Sequence, residues 1–82
     1  MFYEFRLFNS KGCFQVREYG SEADAMKRFD SAVDVTSRNR KALADAGMLD
    51  VAGGLLATEI QVVQRNDWMT SLVEIANWKA RA

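Results

Sequence analysis

The chain reads as an α+β fold, an antiparallel sheet packed on one long helix, and three observations carry that reading. FYEFRLFNSKGCFQVREY alternates apolar and polar residues on both sides of Asn9-Ser10-Lys11-Gly12, the pattern of a β-hairpin. Ser21 to Gly47 repeats apolar residues at spacings of three and four between two end signals, the pattern of a helix. ATEIQVVQR, from Ala57 to Arg65, is rich in branched residues and sets Thr58, Ile60 and Val62 on one side, as a third strand should.

In the hairpin, a loop around a type I turn with Gly12 left-handed closes Phe8 against Cys13. That register sets Leu7 against Phe14, Phe5 against Val16, Glu4 against Arg17 and Phe2 against Tyr19. It predicts a core face of Tyr3, Phe5, Leu7, Phe14 and Val16. The outer face is then Phe2, Glu4, Arg6, Phe8, Cys13, Gln15, Arg17 and Tyr19. A slip of one residue would set Glu4 against Glu18 and mix polar with apolar on both faces, which disfavours it.

Ser21-Glu22-Ala23-Asp24 resembles a capping box and opens the helix, with Glu22 and Asp24 placing negative charge where the first-turn amides favour it. Gly47 after Ala46 predicts a Schellman end with Leu43 meeting Met48. Met26, Phe29, Val33, Thr36, Arg40 and Leu43 form the inward stripe, which turns polar from Thr36 to Lys41. There the helix lifts from its support, projects past the sheet, or breaks. Met48 to Gly54 is a connection, and Asn66-Asp67 marks the turn after the third strand. The C-terminal segment is open between two readings. LVEIANW makes a fourth strand, favoured by Leu72, Val73, Ile75 and Trp78, whereas Ser71-Leu72-Val73-Glu74 could cap a second helix.

Without proline or a glycine-rich linker, the 82 residues read as one compact domain over 1–82. A chain of this size buries only about 60–70% of the surface its unfolded form exposes, so self-association into a homodimer would add stability it otherwise lacks. Hydrophobic residues make up 49%, too many for a disordered chain, yet the longest apolar run, VAGGLLA, is too short to cross a bilayer. MFYEFRLF mixes acid and base with its apolar residues, unlike a signal peptide. With a single cysteine, Cys13, and no intrachain disulfide, a cytoplasmic location is expected.

Eleven basic residues balance eleven acidic ones, which removes the long-range attraction on which nucleic-acid binders rely. The absence of histidine removes Ser-His-Asp and Cys-His nucleophile pairs and His-containing zinc sites. Asp30, Asp34, Asp45 and Asp50 do not form the fixed cluster that a metal or an acid–base pair needs. No catalytic residue, cofactor or metal is therefore assigned, and an enzyme is not expected.

Two surfaces remain as candidates for partner binding. One is the outer hairpin face, where Phe2, Phe8 and Tyr19 alternate with Arg6 and Arg17. Aromatic and arginine side chains of that kind are enriched at protein interfaces, and they also stack and clamp single-stranded nucleic acid. The bland reading is that the C-terminal segment folds over this face and buries it. The other surface is Arg38, Arg40 and Lys41 in the polar helix middle. Asp34 four residues before Arg38 and Asp45 four after Lys41 make a solvated, internally paired helix face the better account of these bases. Cys13 lies near Lys11, but a small semi-buried strand residue explains it better than a reactive thiolate. The function expected is a small non-enzymatic protein-interaction or inhibitor module. Size and the absence of catalytic motifs suit a phage or mobile-element accessory protein of anti-defence type, binding a host protein complex. Single-stranded nucleic-acid binding by the same hairpin face is the alternative. No membrane partner is expected.

Overall fold

Phe5, Leu7, Ile60 and Val62 project from two neighbouring strands onto one face of a sheet, and the helix settles on that face. The computed structural model describes residues 1–52, 56–65 and 72–80. In chain order these form β1 (Phe2–Asn9), β2 (Gly12–Tyr19), α1 (Glu22–Asp45), α2 (Leu49–Ala52), β3 (Glu59–Arg65) and β4 (Leu72–Lys79). The four strands make one antiparallel sheet in the order β2-β1-β3-β4. The α+β reading therefore holds, and the C-terminal segment is a strand. The Gly53-Gly54 end of the connection, the Asn66-Asp67 turn and the Ser71 cap lie outside the described residues.

The hairpin turn forms as its residues dictate. Asn9 Oδ1 accepts from the Lys11 amide at 2.9 Å, an Asx turn, and Gly12 adopts a φ of +112°, a conformation that only glycine takes readily. Phe8 pairs with Cys13 as expected, but Phe14 is then an extra residue, a β-bulge, because the next pair is Leu7 with Gln15. Beyond the bulge β2 runs one residue out of the expected register: Arg6 meets Val16, Phe5 meets Arg17, Glu4 meets Glu18 and Tyr3 meets Tyr19. This corrects the sequence reading for half the hairpin. Phe14 and Val16 leave the core face and stand 49% and 53% exposed, while Gln15, Arg17 and Tyr19 turn to the helix side.

Two features make the disfavoured register tolerable. The like-charge pair of Glu4 and Glu18 is relieved because Arg6 and Arg65 both grip Glu4, as described below. On the helix side, α1 lies mainly over β1 and β3, leaving β2 at the margin, where long amphipathic side chains fit better than Phe and Val. Tyr19 packs on the core from there, and the Arg28 guanidinium sits 4.7 Å from the centre of the Phe5 ring, within cation–π range.

The ends of α1 follow their signals. Ser21 Oγ accepts from the Asp24 amide at 3.2 Å. At the other end Gly47, at φ +70°, donates to Ala44 O at 3.0 Å and Met48 N donates to Leu43 O at 2.8 Å, the paired bonds of a Schellman motif. Between them the buried residues are Ala25, Phe29 and Ala32, flanked by half-buried Met26 and Val33. The two alanines let the helix approach the sheet closely, a role the apolar-stripe reading overlooked because alanine carries little hydrophobic signal. No residue of α1 after Ala32 is buried, although the helix runs unbroken to Asp45. The polar middle thus does not break, and along its stripe Thr36, Arg40 and Leu43 stay half-buried.

Candidate functional site

The expected site residues divide between three places. Phe2, Arg6 and Phe8 lie on the helix-free face of the sheet, as anticipated. Arg17 and Tyr19 do not, because the Phe14 bulge carries them to the helix side. Arg38, Arg40 and Lys41 lie on the C-terminal half of α1, away from both.

On the helix-free face, alternation along β1 brings Glu4 and Arg6 together, and pairing with β3 adds Val63 and Arg65. Glu4 is only 4% exposed although no core lies on its side of the sheet. Arg6 Nε and Nη2 donate to its Oε2 at 2.9 and 2.7 Å, and Arg65 Nη1 donates to its Oε1 at 2.6 Å. Burial pushes the Glu4 carboxyl up, but the hydrogen bonds and positive charge of Arg6 and Arg65 outweigh this and hold it below its ordinary value. Arg65 also lies 5.9 Å from the Phe2 ring centre. A second network continues across the sheet. Gln61 Nε2 donates to Glu74 Oε2, and Asn77 Nδ2 to Glu59 Oε2, both at 2.7 Å. Val63, in register between Glu4 and Glu74, is almost fully buried beneath this polar plate.

Chemically the plate is closed. Glu4 is ionised and capped on both oxygens, so it is poorly suited to act as a general base, and Arg6 is already engaged by a carboxylate. Among the described residues no group of three or more Cys, Asp or Glu is placed to hold a metal ion. Cys13 is exposed, not semi-buried as its position in a strand suggested, with its Sγ 3.5 Å from Gln15 O.

The open features lie on β2. It is an edge strand, so among the described residues one side of its backbone has no partner strand in the sheet, and six of its eight residues are exposed. Strand β4 does not cover it, since it joins the sheet at the opposite edge, beside β3. Phe14 and Val16, two residues apart, share the helix-free face, as Arg6 opposite Val16 shows. On the helix side, Tyr19 with Asp24, Lys27, Arg28 and Ser31 lines a groove of about 360 Å³ between β2 and α1. Arg17, opposite Phe5, faces the same side. Sequence reasoning singled out Arg17 and Tyr19 but missed Phe14, Val16, Lys27 and Arg28. No local signal distinguishes a strand with a one-residue bulge from one without it.

The helix bases are mainly surface charge. Arg38 pairs with Asp34 at 2.8 Å, the predicted spacing, with both side chains largely exposed. Arg40 is half-buried and lines a second groove, with Ser37, Trp78, Lys79 and Ala80, on the β4 side of α1. Among the described residues no helix is long and apolar enough to cross a membrane.

No family model, curated protein or solved structure matches this chain. Its function must be argued from the geometry.

Proposed function

We propose that this protein is a non-enzymatic protein-interaction module whose partner adds a strand to the free edge of β2. The observation that carries this reading is the exposure of Phe14 and Val16 on an uncovered edge strand. Long edge strands with exposed apolar side chains are templates for pairing, and folds that do not use them keep them short, charged or covered. A partner strand would gain main-chain hydrogen bonds along the edge and apolar contact on one face. A module without catalytic apparatus acts by occupying its partner's surface, which is how an adaptor or an inhibitor of a host complex, of the anti-defence type, would work.

Nucleic-acid binding draws less support from the geometry. The helix-free face offers bases little: Arg6 is held by Glu4, and Phe2 lies near Arg65. Zero net charge adds no long-range attraction.

Photo-crosslinking tests the reading. A photoreactive amino acid placed at Val16 should capture one protein in cells of the native host, and the same amino acid at Asp45 should not. The adduct should disappear when Phe14→Glu is added. An adduct with nucleic acid, or one that persists in the Phe14→Glu background, would overturn the proposal. An adduct with a second copy of the chain would make it a homodimer instead.

A further inference from the structure

Resting on the strand-addition reading, we infer that the partner segment alternates acidic and apolar residues, with its acidic side chains facing the groove between β2 and α1. The two faces of β2 differ in chemistry. The helix-free side carries Phe14 and Val16, ending in Glu18, whereas the helix side carries Arg17 and Tyr19, with Lys27 and Arg28 across the groove. Successive side chains of an added strand fall on opposite faces. Every second residue of the partner therefore meets Phe14 or Val16, and the residues between them meet Arg17, Tyr19 and Lys27.

Charge selects what those intervening residues are. The groove and the adjoining strand surface hold three cations, Arg17, Lys27 and Arg28, against a single acid, Asp24 at the helix start. Arg28 is half-buried over Phe5 and keeps its place, while Arg17 and Lys27 are exposed and free to turn toward an incoming carboxylate. Tyr19 supplies an apolar ring wall beside them and a hydroxyl able to donate to the same acid. A basic or uncharged segment would leave this positive flank uncompensated, which is how complementary charge chooses one strand among many of similar hydrophobicity.

Three soluble peptides test this: Glu alternating with Val, Lys alternating with Val, and Ser alternating with Val. Each is titrated against the full chain by fluorescence anisotropy, and hydrogen exchange reports where it lies. The expected result is binding of the Glu–Val peptide with slowed exchange at β2 amides, and binding of the Lys–Val peptide weaker by about tenfold or more. The double variant Arg17→Glu with Lys27→Glu changes exposed side chains only and should reverse that preference, with unchanged circular dichroism as the check on folding. Equal binding of all three peptides would overturn the charge inference while strand addition stands. Failure of every peptide, alongside a persistent protein adduct from Val16, would overturn it too and leave the interaction reading intact. A β2-paired dimer by sedimentation, lost in Phe14→Glu, would show the occupant to be a second copy and end the inference.

Discussion

Glu4 is the residue at which the hairpin's unusual register becomes affordable to the fold. Strand pairing places it opposite Glu18, and two like charges at that spacing repel. Arg6 and Arg65 convert the problem into a short, buried, doubly bridged carboxylate. Glu4→Gln should therefore destabilise the protein at neutral pH by about 1.5–3 kcal/mol, the usual worth of hydrogen bonds to a charged group, as read from urea unfolding. The pH dependence has a definite sign. The folded carboxyl titrates below its ordinary value of 4.5, so its contribution is complete above about that pH and is lost as pH falls through the folded value. Wild-type stability should fall along that acid limb, and the part due to Glu4 should be missing in Glu4→Gln. At the helix end, Gly47 has open space around its missing Cβ but a φ of +70°, so Gly47→Ala should cost about 1–2 kcal/mol through backbone conformation alone. A drop in thermal midpoint without any change in sheet contacts would show this.

At the scale of elements, α1 is one helix with two halves of different standing. From Glu22 to Val33 it carries Ala25, Phe29 and Ala32 into the core, and beyond that it buries nothing fully. Its last turn holds Asp45 and no base, which sets a negative charge against the negative end of the helix dipole. Native-state hydrogen exchange should therefore divide the helix, with amides near Phe29 protected close to the global limit and those from Lys41 onward exchanging through local fraying. Asp45→Lys should raise protection in the last turn and add about 0.3–1 kcal/mol. Uniform protection along α1 would mean that its far half is held by contacts outside the described residues. The strands show a parallel division. β1 and β3 hold the core, and each edge strand carries a bulge, at Phe14 in β2 and at Ile75 in β4. A bulge twists its strand and interrupts the ladder to the inner neighbour, and in β2 it is this shift that carries Arg17 and Tyr19 to the helix side.

At the scale of the whole sheet, α1 covers one face, and the other face, among the described residues, is sealed by linked polar side chains. That leaves the edges as the surfaces with unmet bonding capacity. The double variant Phe14→Ser with Val16→Thr should leave stability within about 0.5 kcal/mol, as exposed positions do, because neither side chain contributes to the core. In the register expected from sequence, both would have been core residues and the same change would have been severely destabilising. Unfolding of this one variant therefore tests the observed register, and the peptide and cross-linking measurements test what the register exposes.

Although the C-terminal segment stayed open between strand and helix, the class, both helix termini, the turn at Asn9 to Gly12 and the inward faces of β1 and β3 were legible in the chain itself. Each rests on interactions within a few residues: a cap, a left-handed glycine, a period of two or of about four. The far half of β2 was not, and with it went the placement of Arg17, Tyr19, Phe14 and Val16. A bulge changes the register by one residue at a local cost small enough to be decided by distant partners. Arg65, sixty-one positions from Glu4, helps to make the Glu4–Glu18 pairing acceptable, and α1 leaves room at the sheet margin for arginine and tyrosine rather than for Phe and Val. Those contacts exist only once the chain has folded, and so tertiary structure alone decided which face of β2 is basic and which is apolar.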